Sequence, residues 1–117
     1  MSKVEYAHKR DPAGGGASFL ARWELRAGAG DADWVSIPVG VLSVQVWGTF
    51  GGAKVTLEGT NANDGPGMQL NQQFSDDLAF EAPGFAGIRD IPRLLRPALV
   101  GGDKSTLVYV ALYGVSR

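Results

Sequence analysis

The side chains able to do chemistry are few in this 117-residue chain, and their spacing works against them. His8 is the single histidine, and there is no cysteine. Disulfides, thiolate metal sites and cysteine nucleophiles are thereby excluded. A Ser-His-Asp triad would hang on a residue in the opening segment, which ends in Asp11-Pro12-Ala13-Gly14-Gly15-Gly16 and reads as an arm on a hinge. Arms hold catalytic geometry poorly. A zinc site lacks the three or four converging ligands it needs. Asn61-Ala62-Asn63-Asp64-Gly65 opens like a calcium loop, but the twelfth position holds Gln72 where a bidentate Glu is required, and no helix flanks it. Asp76-Asp77 and Glu81 offer the carboxylates of a glycosidase pair, yet neighbouring strand positions face opposite sides. Neither Gly14-Gly15-Gly16 nor Gly51-Gly52-Ala53-Lys54 has the spacing of a phosphate loop. No catalytic residue, cofactor or metal ligand is assigned.

The elements that would carry a surface site are strands. Seventeen glycines punctuate short apolar runs without a period of three, and no stretch keeps helical apolar spacing over 11 residues. The best helical candidate, Ile88–Leu95, is held to about a turn by Pro92. Residues 17–26 alternate Phe19, Ala21, Trp23 and Leu25 against Leu20, Arg22, Glu24 and Arg26, the pattern of a strand with one wet face. Residues 33–37 form a short strand with Trp34 and Ile37. Residues 41–50 and 53–59 flank Gly51-Gly52 and predict a β-hairpin. Short strands are expected at 68–74 and 78–82. Residues 94–100 contain Pro97, which predicts an edge or bulged strand. Residues 105–115 are apolar on both faces, as a central strand is. The expectation is all-β: a jelly-roll-like β-sandwich of about seven or eight short strands over 17–117, with residues 1–16 as an N-terminal arm.

Aromatic residues and charge supply the remaining candidates. Trp23, Trp47, Tyr109 and Tyr113 fall inside strands and fit core or sheet-face packing. Trp34, with Asp31 and Asp33 close by, is the one candidate for stacking on a sugar. Eleven basic and twelve acidic residues leave a net charge of −1, which excludes a basic nucleic-acid binder. The charge is uneven: +2 over residues 1–10, −6 over 11–82 and +3 over 83–117. An acidic body between two basic ends predicts a docking side. No run approaches the ~18 apolar residues of a membrane span, so no membrane partner is expected.

The stretch Ser43 to Asn61, SVQVWGTFGGAKVTLEGTN, followed by Asn63-Asp64-Gly65, resembles a pattern of head decoration (cement) proteins of tailed bacteriophages. There a strand ending in Gly-Thr-Phe passes through Gly-Gly into a strand ending in Leu-x-Gly-Ser/Thr-Asn. Ile91-Pro92-Arg93-Leu94-Leu95-Arg96-Pro97, then Gly101-Gly102-Asp103 and a last apolar strand, extend the resemblance over roughly residues 41–113. The chain departs from the pattern in having Met68 and Leu70 where a Trp follows the Asp-Gly turn.

The resemblance implies a non-enzymatic protein on the outer surface of a virion. It would bind the major capsid protein and stabilise contacts between its subunits. A homo-oligomer is expected, a dimer rather than a trimer. Expected partner contacts are Val4, Tyr6, Lys9 and Arg10 on the arm, with Phe85, Arg89 and Arg93 on the basic C-terminal side. The alternative is a carbohydrate- or receptor-binding β-sandwich module of a phage tail or fibre.

Overall fold

The computed structural model describes residues 4–10, 17–37, 40–62, 67–70, 78–89 and 91–115, with 4–10, 17 and 41 as backbone. These residues contain β1 (Val4–Arg10), β2 (Ala17–Arg26), β3 (Val35–Ser36), β4 (Val41–Thr49), β5 (Lys54–Thr60), β6 (Met68–Gln69), β7 (Ala79–Phe80), β8 (Gly84–Gly87), β9 (Leu94–Val100) and β10 (Leu107–Val115). No helix occurs among them.

Two antiparallel sheets face each other. One has the order β1-β2-β10-β4-β8; the other runs β3-β9-β5-β6, with β7 also pairing β5. The pairing is nested: β2 with β10, β3 with β9, β4 with β8, and β5 with β6 and β7. The second half of the chain thus returns alongside the first as one long ribbon. Folding that ribbon over seats β10 beside β4 and β9 beside β5. This winding is a jelly roll, and it gives a β-sandwich.

Alternation decides which residues fill the interior. Phe19, Ala21, Trp23 and Leu25 of β2 are buried, as are Leu42, Val44 and Val46 of β4, Val55 and Leu57 of β5, and Val108, Val110 and Leu112 of β10. Trp23 spends its one donor on the carbonyl of Asp33, 3.1 Å away, so its polar edge is satisfied inside the core. β10 lies between β2 and β4, where its two-sided apolar sequence placed it.

Four sequence expectations change. The strands on either side of Gly51-Gly52 exist, but they are not a hairpin, because β4 and β5 belong to opposite sheets. The pair makes a tight turn, with the Ala53 N–H donating to the Phe50 carbonyl at 2.9 Å and φ of +59° and +85° at the two glycines. Buried Phe50 and Ala53 plug the corner. Apolar alternation is the same for strands that pair side by side and strands that face each other across a core, so the pattern could not distinguish them. Second, Ile88 forms a bridge and Arg89 and Arg93 are bends where a helical turn was expected, and β9 begins at Leu94. Third, β8 was not foreseen; its four residues include two glycines and leave almost no alternation to read.

The fourth change concerns the start of the chain. Val4–Arg10, expected within an arm, forms β1 at the edge of the larger sheet, paired with β2 from Val4↔Trp23 to Arg10↔Ala17. A jelly-roll edge strand such as β2 offers a row of unpaired backbone groups, and a seven-residue neighbour satisfies them. Residues 11–16 lie outside the described residues, as do 71–74 of the expected 68–74 strand.

Pro97 stands where its chemistry allows. β3 reaches only Leu94 and Leu95, so among the described strands β9 has no partner on that side at Pro97, while Leu57 of β5 lies opposite on the other. The Ile37 N–H donates to the Arg93 carbonyl at 3.0 Å. Backbone groups alternate sides along a strand, so odd-numbered positions of β9 face the β3 side, and the absent N–H of Pro97 falls on the open edge.

Candidate functional site

The outward side chains of the larger sheet make the most distinctive surface of the molecule. Cross-strand register sets them in rows: Leu20–Tyr113–Ser43–Gly87, then Arg22–Ala111–Gln45–Phe85, then Glu24–Tyr109–Trp47. Phe85 is 69% exposed, Tyr113 50% and Leu20 45%. Of the five large apolar residues exposed in the described chain, these three share one face; Met68 and Val100 lie on the other sheet. A gathering of this kind on a sheet face marks an interaction surface, whereas single exposed apolar residues do not.

Its aromatic end is rigid. Trp47 and Tyr109 are direct cross-strand neighbours, with ring centroids 5.6 Å apart and planes 24° apart. The Arg22 guanidinium lies 5.0 Å from the Tyr109 ring centre and 5.6 Å from that of Trp47. The cation covers both rings and the stack restrains the long side chain. Sequence reading placed Arg22, Trp47 and Tyr109 each on a strand face but missed the trio. The signal was present in the alternation, and only the β2-β10-β4 order brings the three together.

Trp34 belongs to a second cluster. Arg96 sits over its ring at 4.2 Å and is flanked by Glu58 at 3.5 Å and Asp31 at 3.9 Å. The guanidinium ties the β2–β3 connection to β5 and β9 and covers one face of the Trp34 ring. Asp33 takes part through its backbone, as the acceptor for Trp23. Beside this cluster a hollow of about 290 Å³ lies between the β2–β3 loop and the open edge of β9, lined in part by Leu25, Gly28, Ala32 and Pro97.

The expected contact residues do not converge. Phe85 is on the outer face of β8. Arg89 is exposed, next to Ile88, whose N–H donates to the Leu42 carbonyl at the start of β4. Arg93 is exposed beside the other sheet, its backbone N–H and its Nε donating to the Asn61 Oδ1 and carbonyl at 2.9 and 3.2 Å. Val4, Tyr6, Lys9 and Arg10 lie along β1. Among the described residues no three His, Cys, Asp or Glu side chains come together as metal ligands would.

A third constellation joins the two segments on which the sequence resemblance rests. The buried Thr106 hydroxyl donates to the Phe50 carbonyl at 2.9 Å and accepts the Asp103 N–H at 2.9 Å. Asp103 Oδ1 accepts from the Ser105 N–H at 2.8 Å and from its hydroxyl at 2.5 Å. These two bonds, the hydroxyl's first, hold the Asp103 carboxyl below its ordinary pKa. Gly51 and Gly102 both lie against the Thr106 hydroxyl, close enough that a Cβ on either would stand 2.6 Å from it.

Compared with family models, with curated proteins and with solved structures, the chain matches none of them.

Proposed function

We propose that this chain is a capsid decoration, or cement, protein of a tailed phage. It acts without catalysis, on the outer surface of the head, by binding the major capsid protein and stabilising contacts between neighbouring subunits. The observation that carries the reading is the interlock of Gly48–Ala53 with Gly101–Thr106. The two halves of the resemblance are about fifty residues apart in sequence, yet they build one corner of the sandwich through Thr106. Segments that specify a shared corner together are a stronger likeness than either segment alone. A stiff sandwich suits the task, since little conformational entropy is lost when it docks on a shell. Arg89 and Arg93, which the resemblance offers as partner contacts, are both exposed.

The test is stoichiometry. In purified virions that carry this protein, quantitative mass spectrometry is expected to find it in numbers comparable to the major capsid protein, and immunogold labelling is expected to cover the head. A small copy number, with label confined to the tail, would replace this reading with the fibre-module alternative.

A further inference from the structure

We propose that the outer face formed by β10, β4 and β8 binds an uncharged polysaccharide, an extended chain of β-linked hexose rings lying across Phe85 and Tyr113. The proposal stands apart from the capsid reading and rests on the chemistry, the spacing and the size of this face.

The chemistry suits a neutral sugar. β10, β4 and β8 contain no acidic or basic residue, so a ligand covering them strips water from no charge and meets none to pair with. Phe85 and Tyr113 are both exposed and offer apolar ring area. Between them lies β4, with Ser43 directly across from Tyr113 and the exposed Gln45 directly across from Phe85. A pyranose ring asks for this mixture: its C–H face packs on an aromatic ring, and its hydroxyls take a donor and an acceptor together, which a side-chain amide supplies. Trp47, two residues beyond Gln45 on the same face, continues the aromatic track and is held by Tyr109 and Arg22. The opposite sheet differs, with Lys54, Glu58 and Arg96 on its two longest strands.

The spacing suits an extended chain. Tyr113 and Phe85 stand two strands and two residues apart in register, about 12 Å between Cα atoms at ordinary strand geometry. That is a span of two hexose rings, not one. Successive rings of a β-1,4-linked chain are flipped, so alternate rings present the same face and can stack on both aromatics at once. Ser43 and Gln45 then meet the ring between.

The size separates this ligand from a protein. Two nine-residue strands and one of four, at about 4.8 Å spacing, make a face of roughly 350 Å². A standard protein interface takes about 800 Å² from each partner. An open sheet face is also no concavity in which a small molecule is enclosed. A few linked sugar rings need neither, and the repeats along a polysaccharide let neighbouring rings rebind.

Isothermal titration calorimetry on the full chain is expected to show saturable binding of cellohexaose or chitohexaose, with a Kd below about 1 mM. Phe85→Ala and Tyr113→Ala should each weaken that binding about tenfold, and Gln45→Ala about fivefold. All three side chains are exposed, so the circular dichroism spectrum and Tm of the variants should match the parent. Val100→Ala, which removes an exposed apolar side chain from β9, should leave the affinity unchanged. Maltohexaose, whose α-linkages coil the chain, should bind more weakly than the β-linked sugars. No saturable binding of either β-linked hexasaccharide at millimolar concentration would overturn the proposal. So would binding that neither ring variant weakens, or a preference for maltohexaose. The measurement uses the free protein, so its failure and the failure of the capsid reading are separate results.

Discussion

The Thr106 hydroxyl donates to the carbonyl of Phe50, joining two residues 56 positions apart across 2.9 Å. The same oxygen accepts the Asp103 N–H, so one buried side chain closes the β4–β5 corner and the β9–β10 turn together. Thr106→Val keeps the shape and deletes both bonds, leaving a carbonyl and an N–H without partners. It should cost about 1–3 kcal/mol in urea unfolding, with Thr106→Ser retaining most of the difference.

The glycines around this corner should rank by what a methyl group would meet. Gly48 has φ of +120°, and a Cβ there would run into the backbone carbonyl of Leu107 on β10. Gly51, at +59°, would meet Asp103 Oδ1 and the Thr106 hydroxyl at 2.6 Å, while Gly52, at +85°, has open space. Gly52→Ala should therefore cost only the left-handed backbone term, about 1–2 kcal/mol. Gly51→Ala should cost more, and Gly48→Ala most, because backbone cannot yield as a side chain can. Thermal unfolding of the three variants tests the order.

The middle of β10 tests the core. Val110 is fully buried between Trp23 of β2 and Val46 of β4. Val110→Asp places a charge there with no partner, a loss of several kcal/mol that should unfold much of the protein at room temperature. Thr49→Asp, exposed at the end of β4 in the same sheet, should melt within a few degrees of the parent.

Residues 17–26 and 105–115 show how far the sequence could be read. Their burial follows period-two alternation, and alternation is a property of one strand. Pairing is a relation between two, and the pattern holds nothing about it. Hence Val41–Thr49 and Lys54–Thr60 were located as strands but joined to each other in place of β10 and β9. Surface clusters fail for the same reason. Trp34 was visible as a candidate, but its partner Arg96 is sixty-two residues away and reaches it only because β9 pairs with β3. Val4–Arg10 misled through composition: with few large apolar residues it reads as an arm, whereas an edge strand can be held by backbone hydrogen bonds to β2.

Acid should act on the β9–β10 turn. The bonds from Ser105 lower the Asp103 pKa in the folded state, so the unfolded chain takes up a proton at higher pH than the folded one. Their stabilisation is fully present above the ordinary carboxylate value, near pH 4, and is lost as pH falls through the lowered folded value. Asp103→Asn removes that titration. In paired denaturation curves between about pH 5 and pH 2, the parent should lose stability more steeply than the variant. Parallel curves would mean that Ser105 does not hold the carboxylate in solution.

Removing β1 separates an edge strand from a tether. Deleting residues 2–12 takes away the neighbour of β2 along its whole register with Val4–Arg10, but β2 keeps its pairing with β10 from Ser18 to Arg26. The sandwich should therefore still fold, since the interior residues of β2 retain their partners in the core. Backbone groups alternate sides along a strand, so alternate amides of β2 would lose their hydrogen bonds while those facing β10 keep theirs. Hydrogen exchange of the truncated chain should show that alternation directly, with fast exchange at every second residue of β2 and slow exchange between. The bared edge should also raise the tendency to aggregate on concentration, as an unprotected strand edge does. An exchange pattern along β2 identical to that of the full chain, with an unchanged Tm, would mean that residues 4–10 do not pair with it in solution.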